Sequence, residues 1–187
     1  MTEKHYITAQ ELLEDSYQLG AEILESEFRP DFIVGIWRGG SPVGIAVQEM
    51  LEYFGVTTDH ISVRTSLYTG ISASGNEVRV HGLGYLTKNL NAENALLIVD
   101  DVYDSGRSIQ AVIDQLTERT RRNTPSQIKV ATPWFKSGNN KTDREPDYYL
   151  HTTDKWLVFP HEVQGLSKAE LKSGKGKLFD IIQSVQN

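Results

Sequence analysis

The chain has no cysteine among its 187 residues, which rules out a disulfide framework, thiolate zinc sites and a cysteine nucleophile. A basic surplus is missing too. Lys and Arg number 19 against 25 Asp and Glu, a formal net charge of −6, whereas a broad nucleic-acid footprint needs a basic face. A local basic pocket stays open. No apolar run approaches the roughly 20 residues that span a bilayer. The opening "MTEKHYITAQELLEDSYQLG" carries acids and no apolar core of a secretory signal, so no membrane partner is expected and the cytoplasm is the expected location. Two nucleotide motifs are absent as well. No GxxxxGK[ST] run occurs, and "GLGYL" breaks the GxGxxG spacing, which argues against a P-loop and against a dinucleotide fold.

What is present is a composition of 39% hydrophobic and 24% charged residues, that of a globular protein long enough to bury a core without staples. No repeat, low-complexity tract or linker interrupts it, and residues 1–187 read as one domain. Thr8 followed by Glu11 predicts a capping-box start to a helix running to Glu27. A strand is expected over Phe32–Ile36, opening into Arg38-Gly39-Gly40, with a helix from Ser41-Pro42 to about Phe54. Ile61–Arg64 reads as a strand. The following stretch, about 65–82, has small and polar residues and little periodicity, which predicts a mobile loop or an exposed hairpin. Ala95–Asp100, Ile128–Ala131, Tyr148–Leu150 and Trp156–Phe159 read as further strands, and a helix follows Gly106. Strand and helix alternate, so the expected class is α/β with a mostly parallel central sheet flanked by helices. "KSGNNKTDREP" is a polar loop, and the last 22 residues form a short helical tail.

The informative stretch is "LLIVDDVYDSGRS", Leu96 to Ser108. A buried strand ends in two adjacent carboxylates, a third follows, and Ser-Gly-Arg-Ser leads into a helix. Carboxylates crowded at the end of an apolar strand call for cations or hydroxyls to meet them. The helix start offers backbone N–H groups and a partial positive charge, Gly106 permits close approach, and two hydroxyls add donors, which suits a phosphate. Asp100 and Asp101 suit a pair of vicinal hydroxyls, with Mg²⁺ to offset their charge. A phosphate beside a diol describes a ribose 5-phosphate.

Val99 to Ser108 resembles the phosphoribosyl pyrophosphate (PRPP) signature of type I phosphoribosyltransferases, and most of the chain resembles the 6-oxopurine branch, the hypoxanthine-guanine and xanthine-guanine enzymes. The resemblance implies that fold, with a flexible hood loop and a base-recognition region within about 133–187. It implies that Asp100 and Asp101 meet the ribose hydroxyls and, indirectly, Mg²⁺. Ser105, Gly106, Arg107 and Ser108 would hold the 5-phosphate, and Asp104 would face N7 of the purine as the proton acceptor or donor. "WRGG" resembles the pyrophosphate loop, with Arg38 and the backbone of Gly39 on the diphosphate and a cis bond between Trp37 and Arg38. Lys136, ending "TPWFK", resembles the lysine that reads the oxygen at C6, a donor that favours a 6-oxo base over adenine. In "DKWLVFPHE", Trp156 would stack on the base and the Leu157 backbone would contact its 2-position edge. Glu162 falls near an acid that helps hold a second metal, and His161 departs from the pattern. Ser66 and Tyr68 resemble the Ser-Tyr pair of the catalytic hood.

The activity implied is Mg²⁺-dependent transfer of phosphoribose from PRPP to N9 of hypoxanthine, guanine or xanthine, releasing pyrophosphate, in purine salvage. The family is commonly dimeric or tetrameric, so a homodimer or homotetramer is expected. Two other readings differ in class or acceptor. One is a PRPP-sensing or RNA-binding regulator on the same fold, and the other is an enzyme for orotate, adenine or uracil.

Overall fold

The computed structural model describes residues 3–67 and 78–185. In chain order the elements are β1 (Lys4–Tyr6), α1 (Ala9–Glu25), β2 (Phe32–Trp37), α2 (Gly40–Tyr53), β3 (Asp59–Leu67), β4 (Val78–His81), α3 (Gly84–Asn89), β5 (Ala95–Val99), β6 (Val102–Tyr103), α4 (Arg107–Thr120), β7 (Gln127–Phe135), β8 (Tyr148–Thr152), β9 (Trp156–Val158), α5 (Lys168–Lys175) and α6 (Lys177–Ser184). They fall into two compact units, Leu13–Asp154 and Met1–Leu12 with Lys155–Asn187. Among the described residues no helix is long and apolar enough to cross a membrane.

The larger unit is built on a seven-stranded sheet ordered β4-β3-β2-β5-β7-β6, with β8 also pairing β7. Among the described residues only β3 with β4 is antiparallel in this sheet. β5 is buried at every residue and β2 at all but Trp37, which is why both read as unbroken apolar runs. On one face Phe32, Val34, Ile36, Leu96 and Ile98 belong to the same core cluster as Ile109, Val112 and Leu116 of α4. Each such side chain contributes about 1.5–3 kcal/mol when fully buried. From β2 the chain passes to β3 on one side, and β5 takes the other. The order therefore reverses between β2 and β5, where open α/β sheets bind ligands beyond the carboxyl ends of their strands.

The smaller unit pairs β1 parallel with β9, setting Lys4 opposite Trp156, His5 opposite Leu157 and Tyr6 opposite Val158. Ser167 and Glu170 form a capping box that starts α5. Lys4 Nζ lies 2.6 Å from Glu170 Oε1. That ion pair, with the Ser167 donors, holds the Glu170 carboxyl down at about 2.

The α/β class and the mostly parallel sheet agree with the sequence. Thr8 and Glu11 make the predicted capping box, with Thr8 N donating to Glu11 Oε2 at 2.7 Å and Glu11 N to Thr8 Oγ1 at 3.1 Å. Several boundaries are corrected. β7 continues past Ala131 to Phe135, because its bonds to β8 skip Pro133, which has no N–H to give. β3 extends to Leu67 because its end pairs with β4, the hairpin alternative for that stretch. β1 and α3 have no counterpart among the predicted elements. Part of the expected hood loop, with Tyr68, lies outside the described residues.

Candidate active site

Gly35 of β2 is in register with Val99 of β5, so the segments that follow them, Arg38-Gly39-Gly40 and Asp100-Asp101, leave the sheet side by side. The contact is close. A Cβ on Gly39 would run into the Asp101 carboxylate, and one on Gly40 would run into the Val99 carbonyl and lie 2.9 Å from Asp100 Cα. Only glycine admits this approach. The Trp37–Arg38 peptide bond is cis, as the resemblance implies.

Asp101 is buried, and its N–H donates to Asp100 Oδ1 at 3.0 Å. Burial first, and the neighbouring Asp101 second, push the Asp100 carboxyl well above its ordinary range, although the Gly40 N–H favours its charge. Such a pair is poised for positive charge. Among the described residues no group of three or more acids and histidines could by itself hold a metal ion. Two adjacent carboxylates nevertheless fit Mg²⁺, which takes one or two protein carboxylates and draws its other oxygens from substrate phosphates and water.

The raised carboxyl has a stability consequence. Between about 3.8 and its raised native value, Asp100 holds a proton in the folded chain that the unfolded chain has lost. Stability is therefore highest below about 3.8 and falls as pH rises through the window up to the native value. Asp100→Asn should raise the thermal midpoint at pH 7 in chelator by about 2–6 °C. The gain should vanish near pH 3, and melts across pH check both.

Beyond β6 the chain turns through Asp104 and Ser105 into α4. Gly106, just before the helix, has φ +74°, and a Cβ there would meet Tyr103 and Thr142 Oγ1 at 2.6 Å. No side-chain cap closes α4, and the N–H groups of a first turn carry a helix's partial positive charge. Asp100, Val102, Asp104, Ser105, Gly106 and Ser108 line a cavity of about 200 Å³ here. Arg107 is exposed.

Lys136, at the end of β7, reaches this turn from 32 residues away: its N–H donates to the Tyr103 carbonyl at 2.9 Å, and its Nζ lies 3.1 Å from Asp104 Oδ2. The other Asp104 oxygen accepts from Asn139 Nδ2. Tyr103 Oη pairs with Thr142 Oγ1 and donates to the Arg144 carbonyl, each at 2.9 Å, and Lys141 N donates to the Ser105 carbonyl at 3.1 Å. The polar loop Ser137–Arg144 is therefore bound to the Asp104 turn. Sequence reasoning missed Asn139, Thr142 and Gly40; the available signals were the polar loop directly following Lys136 for the first two and the paired glycines after Arg38 for the third. Ser66 Oγ pairs with His81 Nε2 at 3.2 Å across the β3–β4 hairpin.

In the smaller unit Trp156 is 58% exposed and Leu157 is buried, as alternation along a strand requires. Trp156, Val158, Leu166 and Glu162 help line a cavity of about 400 Å³. Glu162 Oε2 accepts from the Phe159 N–H at 3.1 Å, and the His161 ring stacks on Phe159.

Among known proteins, a hypoxanthine-guanine phosphoribosyltransferase of Lactococcus lactis is 27% identical over 150 residues, 78% of this chain and 74% of that protein. The "bifunctional protein TilS/HprT" of Listeria monocytogenes matches at the same identity, and there the chain spans only 21% of the relative's length. Among solved structures, a purine phosphoribosyltransferase from Pyrococcus horikoshii aligns with a TM-score of 0.67 at 25% identity, covering 88% of this chain and 97% of that one. The family model described as the phosphoribosyl transferase domain matches residues 6–167, and the chain belongs to that family.

Proposed function

We propose that the protein transfers the 5-phosphoribosyl group of PRPP to N9 of a 6-oxopurine, hypoxanthine, guanine or xanthine, releasing pyrophosphate, as a cytoplasmic purine-salvage enzyme. One observation carries the reading: Lys136 Nζ stands 3.1 Å from Asp104, which brings a donor for a 6-oxo group to the turn that suits a sugar phosphate. An ammonium cannot accept a hydrogen bond, so Lys136 itself offers the 6-amino group of adenine no partner.

The proposed roles are those that the family resemblance implies. Ser105 to Ser108 and the start of α4 hold the 5-phosphate, and Asp100 and Asp101 take the ribose hydroxyls. Arg38 and the Gly39 backbone hold the diphosphate. The bond from C1 of the ribose to the diphosphate breaks ahead of bond formation to N9, leaving a cationic sugar that nearby carboxylates stabilise. Asp104 takes the proton from N7 while Lys136 fixes O6, and most of the protein's contribution is orientation. Bound Mg²⁺ would neutralise diphosphate charge beside Asp100 and Asp101, and Glu162 is the candidate for a second ion. Trp156 is the proposed platform for the base and Leu157 its 2-position contact. Ser66 and Tyr68 belong to the proposed hood, which excludes water from the activated sugar. A homodimer or homotetramer is part of the proposal on the family resemblance alone.

The test is a panel of nucleobases with PRPP and Mg²⁺, following nucleotide formation. Product from at least one 6-oxopurine, and none from adenine, uracil or orotate, is expected. Product from adenine alone, or from no base, overturns the reading.

A further inference from the structure

Asp104 is gripped at both carboxylate oxygens, by Lys136 at Oδ2 and by the Asn139 amide at Oδ1. The two grips differ in what they can survive. Lys136 is the donor required at O6 of an arriving base, and when it turns there Oδ2 opens toward the purine. The Asn139 amide is neutral and occupies the opposite oxygen. Its backbone is set by neighbours on both sides. Asn139 N donates to the Lys136 carbonyl at 3.0 Å, and just beyond it Lys141 N bonds Ser105 O at 3.1 Å. A carboxylate held at one oxygen by a fixed donor presents the other at a fixed angle, which is what proton transfer requires.

We propose that Asn139 is a positioning residue for phosphoribosyl transfer, orienting Asp104 so that Oδ2 meets N7 of the base; this rests on the purine-transferase reading above. Asn139→Ala should lower kcat about tenfold and leave the KM for PRPP within about twofold. Asn139→Asp, which sets a like charge against Asp104, should lower kcat further. In an Asp104→Asn background Asn139→Ala should add less than about twofold, because residues acting as one unit are not additive. Independently of activity, the Asn139 side-chain amide resonances should shift in Asp104→Ala. A wild-type rate in Asn139→Ala, an equal loss in both backgrounds, or a parallel rise in the PRPP KM overturns the assignment while transfer activity stands. A wild-type protein that makes nucleotide from no purine overturns the enzymatic reading and this inference with it.

Discussion

Asp104→Asn lowers turnover by about 10²–10⁴-fold while PRPP binding stays within about twofold of wild type. The substitution keeps shape and removes only the ability to hold a proton. Asp104 follows Asp100 and Asp101 and precedes the start of α4, but its side chain is held by Lys136 and Asn139, which the proposed function sets on the side of the base. The expected split is therefore large in chemistry and small in sugar-phosphate affinity. Single-turnover kinetics give the first quantity and calorimetry with PRPP and Mg²⁺ the second. Turnover at the wild-type rate would remove Asp104 from proton transfer. A parallel loss of PRPP binding would instead make it part of the sugar site.

Gly40→Ala destabilises the fold by about 3 kcal/mol, near the upper end of overpacking costs, and weakens PRPP binding by more than tenfold. The new methyl would run into the Val99 carbonyl and lie 2.9 Å from Asp100 Cα. Both are main chain, so no side chain can rotate aside, and the ends of β2 and β5 must part. The same movement breaks the Gly40 N–H bond to the Asp100 carboxylate. A chain of this length should lose about 6–12 °C in midpoint. Gly84→Ala is the control, since a Cβ there meets nothing within 4 Å. Normal stability and normal PRPP affinity in Gly40→Ala would refute the close docking of the two loops.

The local geometry of Val99 to Ser108 was legible because all of it is encoded in one stretch. An apolar strand, a carboxylate turn, a glycine and a helix start follow one another along ten positions, so spacing alone brings them together. Lys136 was legible only through family resemblance, since nothing in "TPWFK" says that its ammonium reaches a residue 32 positions earlier. Asn139 shows the limit. It stands in a stretch whose composition says only that it is polar, and its contact with Asp104 depends on where β7 delivers the loop. β1 was invisible for a related reason: three residues carry no period, and they become a strand by pairing with β9, some 150 residues away. The end expected at Ala131 fell short, because β7 runs on through Pro133, which falls where its register with β8 skips a pair.

That pairing of β1 with β9 sets the first strand of the chain beside Trp156 and Leu157. A fusion or deletion at the first few residues acts on Trp156 and Leu157 through the ladder of Lys4, His5 and Tyr6, not merely on a dispensable leader. A substitution at the start of the chain is thereby felt at a strand encoded some 150 residues later, whereas the carboxylate turn after β5 draws its residues from one local stretch.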